Sequence, residues 1–147
     1  MRFSVFIITI LLDTIMYAQD IIQVGCRRIS GYIIPEDVQL LPESNRFTPS
    51  VDDILKAEKI LRKRIQRDEC HQLTLKMIGK KYIRQYLGYT NEDNKVILII
   101  FTKKGMIKDE NRFMEPVSIL DGERSHWRVK IDIDNEDIFF YDINGPG

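Results

Sequence analysis

The chain is poor in the residues that carry covalent and metal chemistry. Its 147 residues include two cysteines, Cys26 and Cys70, and two histidines, His71 and His126. It has no CxxC pair and no Cys/His spacing of the kind that holds structural zinc. The eight glycines are scattered, so no glycine-rich turn exists to cradle a phosphate. Glycoside hydrolysis needs two carboxyl groups facing each other across a cleft, one of raised pKa. The acids fall instead in polar turns, at Glu92–Asp93, Asp109–Glu110, Asp121 and Glu123, where water keeps them ordinary. Cys70 and His71 are adjacent in sequence, and adjacent side chains point apart, a poor basis for a thiolate–imidazole pair. The acidic run "DIDNED", Asp132 to Asp137, lacks the glycine and the distal glutamate of a calcium loop and reads as a hairpin turn. The sequence therefore assigns no catalytic residue, no cofactor and no metal ligand.

Excess charge of one sign is also missing, since 22 Lys/Arg balance 22 Asp/Glu. The balance is uneven along the chain. Residues 48–90 carry ten cations against five acids, and residues 91–147 carry eight against twelve. A nucleic-acid binder would want a net basic domain, so nucleic acid is not an expected partner. The solvated outer face of a charged helix accounts for the basic half.

What is present begins with the first residues. "MRFSVFIITILLDTIMYAQD" has an early Arg2, an apolar run from Phe3 to Tyr17 and the small Ala18 before polar Gln19, the order of an export signal. With Asp13 inside it, the run is too short for a comfortable membrane span of about 20 apolar residues. The expectation is a signal peptide over 1–18, an extended lead-in over 19–46 and a single α+β domain over 47–147, in a secreted or periplasmic protein. "VGC" at Val24–Cys26 resembles the lipobox of bacterial lipoproteins, although Gln23 stands at its usual leucine. Cys26 thus has two exclusive fates, a lipid anchor or, as an exported chain favours, a disulfide with Cys70. A membrane enters as a partner only in the first case.

Periodicity gives the fold. "FTPSVDDILKAEKILRKRIQRDE" predicts a helix capped by Thr48 with Pro49 in its first turn, and Val51, Ile54, Leu55, Leu61 and Ile65 on one stripe. "SGYII" in the lead-in suggests a short strand. "YIRQYLGYT" and "KVILIIFTK" predict a hairpin, "MEPVSIL" a further strand, and "SHWRVKIDI" a strand with Trp127, Val129, Ile131 and Ile133 on one face. "IFFYDI" closes the series. One N-terminal helix packed on a curved antiparallel meander of four to five strands is an α+β plan.

The order of helix, "YIRQYLGY", "VILIIF", "SILDGE", "WRVKIDI" and "INGPG" resembles a group of small secreted bacterial proteins of unknown function that carry a YxRQYxGY strand. The resemblance spans about Phe47 to Gly147. It implies a cystatin-like or PepSY-like architecture and departs at Glu123 and at "NGPG". It implies no activity.

The candidate binding residues lie on two strands. If the Ile83/Leu87 face of "YIRQYLGY" meets the helix, then Tyr82, Arg84 and Tyr86 form an exposed aromatic and cationic face, to which His126, Arg128 and Lys130 are neighbours. Tyr and Arg carry binding energy at interfaces. They equally serve as a structural brace through cross-strand pairs. The expected function is a non-catalytic binding or accessory module for an envelope or extracellular protein or peptide. The alternatives are a small hydrolase or ligand-binding enzyme of a cone-shaped α+β fold, and a structural lipoprotein anchored through Cys26.

Overall fold

The computed structural model describes residues 21–24, 27–38, 45–70, 72–119 and 123–143. The expected export signal over 1–18, Cys26 and His71 lie outside the described residues. The chain is α+β, and its described residues form one α-helix on a mixed sheet of seven strands. The strands are β1 (Ile21–Val24), β2 (Arg27–Ile33), β3 (Arg46–Phe47), β4 (Tyr82–Asn91), β5 (Asn94–Lys103), β6 (His126–Asp132) and β7 (Asp137–Ile143), and the helix is α1 (Val51–Gln66). The sheet runs β1-β2-β4-β5-β6-β7, with β3 also paired to β4.

Two features of this plan differ from the sequence expectation. The helix follows three strands instead of leading them, because the lead-in joins the sheet. β2 runs parallel to β4, with Tyr32 opposite Gln85, so only the β4–β7 portion is the expected antiparallel meander. The β2-to-β4 connection passes through α1, the usual way for a chain to return parallel to a strand it has left.

α1 begins two residues later than Thr48 suggests. Ser50 is the N-cap: its hydroxyl accepts from the Asp53 N–H at 3.1 Å, while the Asp53 carboxylate accepts from the Ser50 N–H at 3.1 Å. This reciprocal box satisfies two of the backbone donors that every helix start exposes. Thr48 has another task, accepting the Glu36 N–H at 3.2 Å and tying the lead-in to the helix start. Ile54, Ala57, Ile60, Leu61 and Ile65 are buried against the sheet, whereas Val51 is exposed.

Residues 114–119 of the expected "MEPVSIL" strand do not form a strand. A 3-10 turn spans Glu110–Met114, and the chain then runs extended without pairing into the sheet. Pro116 cannot donate to a ladder, and Phe113 is drawn instead into a second core, stacked 5.2 Å from Tyr32.

The sheet has a core on each face. On the helix side lie Tyr82, Tyr86, Ile97, Ile99, Phe101, Trp127, Val129 and Ile131. On the outer side, Tyr32, Ile34, Leu87, Tyr89, Val96, Leu98 and Ile100 are covered by Phe113 and the segments around it. The alternation of β6 falls as its sequence predicts, with Trp127, Val129 and Ile131 buried on the helix side. β7 breaks its alternation at a bulge. Lys130 pairs with Phe140 but Ile131 pairs with Ile138, so Phe139 is the extra residue and stands exposed.

The expected Cys26–Cys70 disulfide is absent among the described residues. Cys70 is a free, buried thiol in the core beyond the end of α1. Burial raises its pKa, the reverse of what a reactive thiolate needs.

Candidate functional site

The β4 stretch around which the binding residues cluster turns its faces opposite to expectation. Tyr82, Arg84 and Tyr86 point at the helix and are buried; Ile83, Gln85, Leu87 and Tyr89 line the outer core. Arg84 is 1% exposed. Its Nε lies 2.8 Å from Oε1 of Glu58, a residue of α1 that is likewise 1% exposed. The Tyr86 hydroxyl donates to the same oxygen at 2.8 Å. Burial, and then the Glu58 charge, hold the Tyr86 phenol well above its ordinary pKa, so it serves Glu58 as a neutral donor.

The remaining Arg84 donors reach backbone. Nη1 donates to the Tyr82 carbonyl at 3.3 Å and Nη2 to the Ile78 carbonyl. The guanidinium carbon sits 5.0 Å from the Phe101 ring centre, and Phe101 stacks on Trp127 at 3.8 Å. The register explains this row, since Gly31, Arg84, Phe101 and Trp127 are successive cross-strand partners. The ion pair is not saturated. Its Nε–H does not aim well at the Glu58 oxygen, and Oε2 of Glu58 has no hydrogen-bond partner. The contact is Coulombic more than directional, in surroundings where charge attraction is strong.

Every other distinctive position of "YIRQYLGY" has a structural partner. The Tyr82 hydroxyl donates to the Arg124 carbonyl at 2.8 Å. Gln85 is buried and binds the backbone of the crossing segment, donating to Phe113 and Glu115 carbonyls at 2.8 and 2.6 Å and accepting the Val117 N–H at 2.9 Å. Gly88 lies under β3, where a Cβ would stand 2.6 Å from the Phe47 carbonyl oxygen. A side chain at residue 88 would push β3 off the sheet. The face expected to be open to a partner is thus interior, and the residues act as a brace between α1, β4 and the outer segment.

The other three expected residues lie on the outer face of β6, opposite Trp127, Val129 and Ile131. Arg128 is exposed and pairs with Asp142 of β7 at 3.2 Å. Lys130 lies 5.2 Å from the Tyr89 ring centre and 5.6 Å from that of Phe140, which Arg128 also approaches at 5.6 Å. Tyr89, Lys130, Phe140 and Arg128 thus form a continuous aromatic and cationic strip across three strands. Sequence reasoning missed Phe140, Asp142 and Phe139, because the bulge in β7 hides which residues share the face.

His126, at the end of this strip, is buried, with Nδ1 3.1 Å from the Thr102 hydroxyl. Burial, and then the Arg128 charge, lower its pKa, with Asp142 opposing. A lowered pKa in the folded state means that protonation favours the unfolded chain. Stability contributed by neutral His126 is complete above the ordinary histidine range and declines as pH falls through it towards the lower folded value. The urea midpoint of the wild type should fall between neutral and mildly acidic pH, and His126→Gln should remove much of that slope. An identical slope in the variant would refute the assignment.

A different groove, of about 280 Å³, lies between the end of α1 and the β6–β7 turn, lined by Ile60, Lys63, Arg64, Arg67, Asn135 and Glu136. Arg64 is already held there by Glu69, Asp137 and the Glu136 carbonyl. In the turn, Asp132 accepts the backbone N–H groups of Asp134 and Asn135, as expected for hairpin acids. No family model, no curated protein and no solved structure matches this chain.

Proposed function

We propose that this is an exported, non-catalytic binding or accessory module that recognises an envelope protein or peptide through the outer strip of β6 and β7. The observation that carries the reading is the position of that strip. Among the described residues, none of its β6 and β7 members belongs to the covered outer core, and it adjoins β7, the last strand of the described sheet. An edge strand offers backbone donors and acceptors to an added strand, while side chains on the adjoining face select its sequence. Phe139 at the bulge, 48% exposed, supplies an apolar contact next in the chain to Phe140, the ring that Arg128 and Lys130 approach. Kinship with the small secreted proteins carrying YxRQYxGY, and a cystatin-like helix-on-meander plan, belong to the same proposal and are supported by the helix packed across β4–β7.

The test is capture from an envelope extract with the wild type and with the double variant Arg128→Ala, Phe139→Lys. Both side chains are exposed, so the fold should persist. The expected result is one protein retained by the wild type and weakened at least ~10-fold in the variant, the scale of a single interface hot spot. Equal capture by both, or no specific protein on either, would overturn the placement.

A further inference from the structure

We propose that the end of the sheet opposite the Glu92–Asp93 hairpin docks on an anionic lipid surface. Two turns meet at this end. The 74–81 segment folds through hydrogen bonds from Met77 to Thr74 and from Gly79 to Lys76, then enters β4. The 103–106 turn leaves β5 with the Met106 N–H on the Lys103 carbonyl and Gly105 at φ 89. The Lys104 N–H donates to the Lys81 carbonyl at 2.8 Å, which fixes the two turns side by side.

The side chains there are cationic and apolar together. Lys76, Lys80, Lys81, Lys103 and Lys104 are all exposed. Among the described residues none of the five has a carboxylate within ion-pairing distance. Leu75 and Met106, 43% and 41% exposed, stand among them, two of the four large apolar side chains the described structure leaves in water. The far end of the sheet is mixed in charge: exposed Glu92, Asp93, Asp134, Glu136 and Asp137 lie there beside Lys63, Arg64, Arg67 and Lys95, and Arg64 pairs with Asp137.

A nucleic acid or an acidic peptide would satisfy the lysines and leave Leu75 and Met106 unused. A bilayer interface takes both. Lysine heads lie among anionic headgroups with their stems along the apolar boundary, and short apolar side chains enter the acyl edge. The Glu92–Asp93 hairpin then faces away from the surface. This docking is independent of any lipid on Cys26 and of the strip on β6 and β7.

The test is flotation of the full chain with vesicles of phosphatidylcholine alone and of phosphatidylcholine with phosphatidylglycerol, at low and high salt. The readout is the ratio of anionic to neutral binding, in which the apolar contribution of the N-terminal stretch cancels, and its Arg2 is common to wild type and variant. Each lysine at an anionic surface contributes roughly fivefold, so the wild-type ratio should be large and the variant Lys80→Ala, Lys81→Ala, Lys103→Ala, Lys104→Ala should lower it at least ~100-fold. Leu75→Ser with Met106→Ser should abolish the binding that survives high salt. These residues are exposed, and unchanged thermal midpoints would confirm that folding is intact. A wild-type ratio near one, or a ratio unaffected by the lysine changes, would overturn the proposal. So would retention on polyglutamate or duplex DNA without preference for anionic vesicles, which would assign the lysines to an acidic polymer.

Discussion

Arg84→Ala is expected to destabilise the folded chain by about 3–5 kcal/mol, the scale seen when one member of a buried ion pair is removed. The substitution leaves the Glu58 carboxylate buried without its cation, and removes the donors that reach the Ile78 and Tyr82 carbonyls. A loss of that size is a large fraction of the stability of an ordinary domain. Removing the charges together should behave differently. In the triple variant Arg84→Met, Glu58→Leu, Tyr86→Phe no charge is buried and no phenol loses its acceptor. Only the two carbonyls are left without Arg84, so at least ~2 kcal/mol of the single-variant loss should be recovered. Urea denaturation of the wild type and both variants checks this. A single variant within ~1 kcal/mol of wild type would show that the pair contributes as little as an exposed one.

Gln85→Leu should cost about 2–4 kcal/mol, nearly all of it on the outer side of the sheet. One buried amide satisfies three backbone groups of the segment that covers the second core, and each stranded group costs roughly 1–3 kcal/mol where water cannot reach it. Partial exposure of Glu115 and Val117 lets water replace some of that, which keeps the sum below three full penalties. The signature is local. Amide exchange over residues 107–117 should accelerate while α1 retains its protection. Uniform acceleration across the chain would mean that Gln85 supports the whole fold equally and that the segment is not fastened through it.

The parts of the fold legible in the sequence are those where one face of an element is wholly apolar. "WRVKIDI" announces its buried side because its cross-strand partners on β5 are apolar too. β4 could not be read that way. Its helix-facing positions are Tyr, Arg, Tyr and Gly, and taken alone they look like a surface. The missed signal is on α1. Glu58 falls on the apolar stripe, four residues after Ile54 and three before Leu61, and a charge in that position needs a buried partner. Pairing that acid with the arginine of β4 would have turned the strand the right way round. The N-cap was legible as well, since Ser50 stands three residues before Asp53. The parallel β2–β4 pairing and the bulge at Phe139 were not legible. Both are set by partners distant in sequence, and neither leaves a mark in the local pattern.

The site divides along the same line. Arg84 and the tyrosines beside it brace the interior, and the proposed recognition strip of Arg128, Lys130, Phe139 and Phe140 lies on β6 and β7. The most direct measurement is envelope-extract capture with the triple variant Arg84→Met, Glu58→Leu, Tyr86→Phe, verified as folded, beside the Arg128→Ala, Phe139→Lys variant. The account predicts that the triple variant retains the protein bound by wild type and that the outer-face variant loses it. A folded triple variant that loses the partner while the outer-face variant keeps it would contradict the account and return recognition to the strand assigned to the interior.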